Sequence, residues 1–416
     1  MLSVDRPGVI VEGLDVVEAI HSASGRASTA GRVTPDLDYR AASVPDDLPR
    51  RVVLKTMLFA LIDPPEKEET RESPSEAIVG TNRCRLSSAG HNSSEIVMLG
   101  DKTIQLGPGD DSFHASPTPD PLWNETTWFS FSVPERAIQG YVYPWIRRNQ
   151  DLYGGGVIIW DDRGHLPWDA LWWDWSWNHP LGELGDLRDF TFPTGIHIRC
   201  LDPLKAYHLS YERAGCALDL TFEALIEPHV VGRGDWDAAF SAHFDQPGHL
   251  TGHLVLEGEK IPVDCYSMRD RSWGPRVEDP DFRLGWDHAQ TATDAFLSYS
   301  SPDEPGSPVT RGFLWRDGTA AELKSGTRTI EREDNGAPSR IVIEAEDALG
   351  RRLEATGRCV NGMAFLATPW MFTWNCLTRW AFSDAVGWGE IQDTWHLEKF
   401  RAFRRSLNTS TSTPQV

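Results

Sequence analysis

Apolar and polar residues alternate with a period of two along much of the chain after residue 120, and this pattern constrains the fold most. Successive side chains of a β-strand point to opposite faces of a sheet, so alternation indicates strands with one buried face. Turn residues recur about every 8–12 positions, as in all-β barrels and sandwiches. The sequence therefore predicts an all-β fold and argues against a parallel α/β fold. The clearest alternating segments are 127–133, 195–200, 205–211 and 216–226.

Two further segments, 249–258 and 261–268, also alternate and are separated by a short turn, which predicts a β-hairpin. One stretch, 384–400, suggests an amphipathic helix longer than about ten residues. The last residues, 404–416, are rich in Ser and Thr and predict a flexible tail.

Composition divides the chain into unequal parts. All 18 tryptophans lie between Trp123 and Trp395, whereas residues 1–97 are rich in Ser, Arg, Pro and acidic residues. Such a composition is typical of disorder, so 1–97 is predicted to be a largely disordered low-complexity extension. Either translation truly starts at Met98, or the extension is a regulatory or targeting tail. The remainder predicts two domains, 98–237 and 238–403.

Charge and motif content exclude several classes of function. The chain has 61 acidic and 40 basic residues, a formal charge of -21, which excludes a phosphate-tracking nucleic-acid binder. No stretch approaches the roughly 18 apolar residues of a membrane span, and no signal-peptide pattern is present, so we expect a cytoplasmic protein. The six cysteines are scattered without a CxxC pair, which favours buried thiols. We expect no metal and no cofactor, and leave a homodimer open.

The segment 167–180 holds five tryptophans. These rings could plug a barrel end or dock two domains. Alternatively, they could form an aromatic wall for a hydrophobic ligand, and indole faces would also stabilise a carbocation.

The most distinctive string is 264–276, in which Asp270 lies among Arg269, Arg271 and Arg276. One interpretation is a salt-bridged corner, in which the arginines depress the pKa of Asp270. The other is that Asp270 points into an apolar cavity, since neighbouring side chains on a strand face opposite ways. Desolvation would then raise its pKa and make it a proton donor. The sequence leaves both open.

The same string resembles the C-terminal domain of the carotenoid 1,2-hydratase-like (hydroxyneurosporene synthase-like) superfamily. With the segments 123–129 and 387–395 it is most similar to an uncharacterised two-domain branch, over roughly residues 110–400. The resemblance implies two lipocalin-like β-barrel domains and a pocket for a hydrophobic small molecule.

Site residues follow from this resemblance. It implies Asp270 as the acid that protonates an alkene, Tyr266 as a supporting phenol and Trp273 as the motif aromatic. The sequence departs from the family where Arg271 and Ser272 replace a His-Asn pair, and we expect His288 to substitute. The tryptophans expected at the pocket are Trp273, Trp286 and Trp128, with Trp172 and Trp173 near its mouth.

We therefore expect a cofactor-independent acid–base enzyme, a hydratase, isomerase or cyclase, acting on an isoprenoid, steroid or polyketide-like molecule. The alternative is a non-catalytic carrier or sensor of a hydrophobic metabolite, because lipocalin-like folds host both roles. A third interpretation is an interaction protein whose Trp surface docks a partner. The position of the Asp270 carboxyl, in a pocket or held between arginines, separates the first two.

Overall fold

A computed structural model describes residues 105–231 and 242–410, with side chains to residue 407. The described chain forms two antiparallel sheets, four short 3-10 helices and one α-helix, α1, Leu397–Ser410. The predicted disorder of 1–97 lies outside the described residues. The strands of the first sheet are β1 Trp123–Val133, β2 Ile138–Arg147, β3 Leu152–Trp160, β4 Trp172–Pro180, β5 Asp189–Thr191, β6 His197–Asp202, β7 Ala206–Arg213, β8 Cys216–Ala224, β9 His229–Val230, β10 Ala242–Leu256 and β11 Glu259–Pro275. The strands of the second are β12 Arg283–Gln290, β13 Ala295–Ser300, β14 Val309–Arg316, β15 Thr319–Arg332, β16 Pro338–Asp347, β17 Arg352–Cys359, β18 Met363–Leu366, β19 Met371–Phe382 and β20 Ala385–His396. The 3-10 helices are Pro108–Asp111, Pro134–Arg136, Arg148–Gln150 and Pro167–Asp169.

The first sheet is a curled half-barrel in the order β4-β3-β2-β1-β11-β10-β8-β7-β6-β5, with β9 on β10. Its centre is the predicted hairpin, β10–β11, whose turn is Glu257-Gly258. Both turn residues have positive φ, 48° and 84°, the conformation of a tight type I′ hairpin turn that suits the twist of the flanking strands. Alternate residues such as Phe129, Leu218 and Phe222 fill the concave core.

The second sheet is a closed barrel of eight strands. Its order is β17-β16-β15-β14-β13-β12-β20-β19, and pairing of β17 with β19 closes the ring, while β18 is added to β19. Phe296, Ile341 and Trp380 are fully buried in its core. The predicted all-β fold of lipocalin-like barrels is thus confirmed.

The chain passes from the first sheet to the second between Pro275 and Arg283. The hairpin 242–275, which the sequence assigned to the domain 238–403, is hydrogen-bonded into the first sheet through β1 and β8. The boundary between the two hydrogen-bonded sheets therefore lies about forty residues after the predicted domain boundary.

The predicted helix over 384–400 is wrong for most of its length, because β20 occupies Ala385–His396. The helix begins at Leu397 and continues to Ser410, into the segment 404–416 that was expected to be flexible. Aromatic packing explains its position, since the Phe400 ring stacks on Phe372 at 3.8 Å between centroids.

A third apolar cluster joins strands of both sheets, through Trp128 and Met268 on one side and Trp286 and Leu297 on the other. This contact places the faces of β11 and β12 against each other. Among the described elements, no helix combines the length and apolarity that crossing a bilayer requires. The five described cysteines are free thiols. Cys216, Cys265 and Cys376 are buried, as the sequence predicted, whereas Cys200 and Cys359 are partly buried.

Candidate functional site

Strand β11 turns Asp270 and its flanking arginines to opposite faces of the first sheet. Arg269 lies 3.4 Å from Asp111 between Nη2 and Oδ1, and Arg271 donates to Glu125 over 2.9 Å. Both guanidinium groups are buried on that face. Asp270 instead lines a cavity on the other face. Within the described chain neither neighbouring arginine forms an ion pair with Asp270, so the salt-bridged corner is not formed by them.

The cavity lies between the two sheets and is lined by residues of both. Aromatic rings dominate its walls, and a few hydroxyl and amide groups lie among them. Such a mixture, mostly apolar with a small number of polar groups, is typical of small-molecule sites. The first sheet and its end contribute Thr126, Trp128, Tyr141, Tyr143, His243, Asp270, Ser272 and Arg276. The second sheet and its loops contribute Phe282, Leu284, Trp286, Tyr299, Phe365, Ala367, Met371, Thr373, Asn375, Gln392 and Thr394.

Strand register gives Asp270 two direct neighbours. Asp245 is its pairing partner on β10, and Trp128 is its pairing partner on β1. Directly paired residues project from the same face of a sheet, at about 5 Å between Cβ atoms. A second carboxyl and an indole therefore flank the Asp270 carboxyl.

Hydrogen bonds hold the Asp245 carboxylate, which is fully buried. Tyr299 donates its hydroxyl to Oδ2 over 2.7 Å, and Trp286 donates Nε1 to Oδ1 over 3.3 Å. The His243 ring nitrogen Nε2 lies 3.2 Å from Oδ1 and 2.9 Å from the Tyr299 hydroxyl. Donors from both sheets thus compensate one buried charge, as burial of a carboxylate requires.

Burial raises the pKa of Asp270 to about 7, an effect to which the Asp245 carboxylate adds, while His243 and Arg276 oppose it. Burial acts against the charged form of His243, but the Asp245 carboxylate outweighs it and the pKa of this histidine is raised. Burial and the same carboxylate raise the pKa of the Tyr299 hydroxyl well above its usual value. At neutral pH a substantial fraction of Asp270 is therefore protonated.

The trio His243, Asp245 and Asp270 also has the composition of a cation site, because one ligand atom of each lies within 4.8 Å of the others. Both Asp245 oxygens, however, already accept hydrogen bonds from Tyr299 and Trp286. A bound cation would compete with those donors. The arrangement fits proton transfer without displacing any of them.

A second buried carboxyl, Glu390, lies behind the opposite wall. It accepts hydrogen bonds from the Tyr141 hydroxyl, from Gln139 over 2.7 Å and from Gln392 over 3.0 Å. Burial raises the pKa of Glu390 to about 8, and Asp270 adds to the effect. Since Tyr141 and Gln392 line the cavity, Glu390 reaches it through one intervening side chain.

Trp128 and Trp286 line the cavity, as expected, with ring centroids 5.3 Å apart at 81°. His288 is buried two residues beyond Trp286, with its ring 4.6 Å from that indole, but outside the cavity lining. Burial lowers the pKa of His288 to about 4, and its Nδ1 faces Gln290 over 2.8 Å. It is therefore a neutral ring in the second layer around the site.

Tyr266 and Trp273 are not brought to Asp270, and Trp172 and Trp173, expected near the mouth, do not line the cavity. Tyr266 lies four residues away along β11, about 13 Å by strand geometry, where it stacks on His249. Trp273 projects from the opposite face of β11 and stacks on His114 at 3.9 Å. Trp172 donates to the Tyr211 hydroxyl on the core side of β4. Trp173 borders a neighbouring groove instead, at 6.0 Å from the Phe365 ring that lines the cavity.

Sequence reasoning missed His243, Asp245, Tyr299 and Glu390. For two of them a signal was present: counting back from the turn at Glu257-Gly258 pairs Asp245 with Asp270, and His243 lies two residues further on the same face. No local signal identifies Tyr299 or Glu390, because the packing of the second sheet on the first brings them there.

Comparison with known proteins bears on the fold. The crystal structure of an AttH candidate from Nitrosomonas europaea matches 72% of this chain and 98% of its own, with 14% identity and a TM-score of 0.51. CghA matches 67% of this chain and 89% of its own, with 14% identity and a TM-score of 0.44. Kievitone hydratase from Nectria haematococca matches 66% and 88%, with 10% identity and a TM-score of 0.38.

At these identities the first likeness shows a shared fold alone, and the resemblance to carotenoid hydratases in particular stays a prediction. No curated protein sequence matches the chain. A family model matches residues 107–396, which include both sheets. The chain therefore belongs to the family described as "Domain of unknown function (DUF7064)".

Proposed function

We propose that the protein is a cofactor-independent acid–base enzyme, of the hydratase, isomerase or cyclase kind, which protonates an unsaturated hydrophobic molecule in the cavity between the sheets. The observation that carries the proposal is the Asp270 carboxyl, which faces this cavity while Arg269 and Arg271 face away. An isoprenoid, steroid or polyketide-like substrate is the class that the sequence resemblance implies.

The state of Asp270 supports a role as general acid. An acid transfers protons best when its pKa lies near the working pH, and burial raises the pKa of Asp270 to about 7. A carboxyl of ordinary pKa would be almost fully ionised there and could not protonate carbon. The apolar walls therefore supply the condition that the chemistry requires.

The surrounding groups suit the charges that would develop. Protonation of an alkene carbon by Asp270 leaves a carbocation on the substrate and a carboxylate on the protein. The faces of Trp128 and Trp286 stabilise the cation, because aromatic rings carry negative charge on their faces. In a hydration, water adds to the cation and its surplus proton returns to the Asp270 carboxylate. In an isomerisation or cyclisation, a carbon of the cation instead gives up a proton, which the Asp270 carboxylate accepts.

Asp245, His243 and Tyr299 are positioning residues in this scheme. The Asp245 carboxylate disfavours a second negative charge on Asp270 and so adds to the effect of burial, which raises the pKa of Asp270. Tyr299 and Trp286 fix Asp245 from the second sheet. The acid is thereby assembled only when both sheets are packed together.

The test uses the molecule that co-purifies with the protein from its host, identified by organic extraction and mass spectrometry. Incubation of that molecule with protein in deuterated water is expected to place deuterium on carbon. Asp270→Asn should bind the molecule but lose about 10²–10⁴-fold of this rate, the usual contribution of a general acid. Asp264→Asn is the matched control, since Asp264 is an exposed aspartate of the same strand.

Full deuterium incorporation by Asp270→Asn would remove Asp270 from the mechanism. Release of the bound molecule without any exchange by the wild-type protein would favour the carrier alternative.

A further inference from the structure

A second depression, the Trp groove, lies beside the cavity and is lined by β4, β18, β19 and α1. It holds about 1270 Å³ of empty space, counted with its open side. Trp173, Trp175 and Trp177 form one wall, since residues two apart on β4 share a face. Phe365 and Phe400 contribute to the rest, and the Trp175 ring lies 4.8 Å from Phe365. The groove thus uses three of the five tryptophans that made 167–180 conspicuous.

Helix α1 gives the groove two chemically different ends. Leu397, Phe400, Arg401, Arg404 and Arg405 lie at helical spacing on one face and line the groove. On this face Leu397 and Phe400 are apolar, and the arginines that follow them are basic. From Leu397 to Arg405 it spans about 12 Å.

At this end the charge of Arg404 is available to a ligand. Arg401 pairs with Glu398 over 2.6 Å, so its charge is already matched. Arg404 is half-buried, and its Nη1 donates to the backbone carbonyl of Asp334 over 2.9 Å. In the described part of the chain no carboxylate pairs with Arg404. A half-buried guanidinium next to an aromatic wall is a recognition element for carboxylates.

We propose that the Trp groove binds a long-chain carboxylate, with the hydrocarbon chain against the tryptophans and the carboxylate on Arg404. The protein carries a formal charge of -21 and as a whole repels anions. A cationic group at the end of an apolar groove is therefore a local exception, and it favours a ligand with a negative head group. Phe365 lines both the groove and the cavity. A chain in the groove therefore ends one side chain away from the cavity that contains Asp270.

If the bound carboxylate is the substrate, the groove names the substrate class of the proposed enzyme, and this step rests on the proposed function. Binding in the groove is independent of proton transfer at Asp270. Asp270→Asn is accordingly expected to bind a long-chain carboxylate as the wild-type protein does.

The experiment compares dodecanoate with dodecyltrimethylammonium, two amphiphiles with the same chain and opposite head charge, by isothermal titration calorimetry below micelle formation. In 0.15 M salt the Debye length is about 8 Å, so distant acidic residues are screened but contact with Arg404 is not. Dodecanoate is expected to bind about tenfold more tightly than the cation, the effect of one hydrogen bond to a charged group. Acetate, which lacks the chain, should not bind measurably.

Variants separate the two ends of the groove. Arg404→Glu should abolish or reverse the preference for the anion, whereas Arg340→Glu, a basic residue of β16 outside the groove lining, should leave it unchanged. Trp175→Ala should weaken both amphiphiles, because it removes wall area, and the cation should lose more, because it also loses an indole face. Melting curves of each variant confirm folding before titration.

The proposal is overturned if the wild-type protein binds the cation as tightly as dodecanoate, or if Arg404→Glu and Arg340→Glu behave alike. If the wild-type protein binds dodecanoate but incorporates deuterium into none of the molecules tested, the proposed function is refuted and the groove assignment stands. Normal exchange at Asp270 without dodecanoate binding would refute the groove assignment alone.

Discussion

Replacing the candidate acid should make the protein more stable at alkaline pH, not less. Burial holds the pKa of Asp270 near 7 in the folded protein, whereas an unfolded aspartate titrates at about 3.8. As pH rises from 4 to 7, the unfolded chain releases its proton before the folded protein does. The wild-type protein therefore loses stability across this window, and Asp270→Asn, which cannot ionise, does not share that loss.

The size of the effect follows from the two pKa values. Each pH unit between them corresponds to about 1.4 kcal/mol, so the interval from 3.8 to about 7 corresponds to about 4 kcal/mol. The free energy of unfolding of Asp270→Asn minus that of the wild type should thus increase by about this amount between pH 4 and pH 8. Any constant effect of the Asn side chain on packing cancels from this change.

Urea unfolding monitored by tryptophan fluorescence at several pH values measures the difference. The control is Asp162→Asn, which removes an exposed aspartate that forms no ion pair in the described part of the chain. A flat difference for Asp270→Asn, within about 1 kcal/mol, would mean that Asp270 titrates as an ordinary aspartate. The argument for a protonated acid at neutral pH would then fail.

Three further outcomes are expected. Tyr299→Phe removes the 2.7 Å donor to Asp245. It should lower kcat about tenfold or more with little change in KM, and it should shift the pH–rate profile. An unchanged profile would mean that Tyr299 does not act on the acid. Asp287→Asn breaks a fully buried pair with Arg328, 2.7 Å apart, and should cost about 3–5 kcal/mol in urea unfolding; a cost below about 1 kcal/mol would contradict this. Chelation of divalent cations with EDTA should leave deuterium exchange unchanged, and restoration of a lost rate by one metal would instead identify a cation site at Asp245.

The fold could be predicted because its strongest determinants are local. Alternation indicated the strands, and the short turn between 249–258 and 261–268 indicated the hairpin. The structure places that turn at Glu257-Gly258, which sets the register. The helix could not be located, because 385–396 carries residues that pair with β12 and β19 and so forms a strand before Leu397. Strand pairing between distant segments overrode a weak helical period there.

The site could be predicted only in part, for the same physical reason. The side of β11 on which Asp270 projects follows from alternation, since Arg269 and Arg271 must face the other way. The positions of Tyr299 on β13 and Glu390 on β20 near the cavity depend on how one sheet packs on the other, and no periodicity encodes that packing. Tyr266 was transferred from a motif, and its distance along the strand already separated it from Asp270.

The two faces of β11 explain how a rigid scaffold holds a shifted acid. On one face Arg269 and Arg271 are buried against Asp111 and Glu125, and a buried ion pair tolerates little displacement because separation leaves an unpaired charge. On the other face Asp270 lines the cavity, where burial disfavours its ionised form and raises its pKa, which is the property that a general acid needs. The arginines thus act as positioning residues through the backbone that they share with Asp270. Loss of either should reduce activity by moving the acid, while the raised pKa, which depends on the cavity walls, should persist.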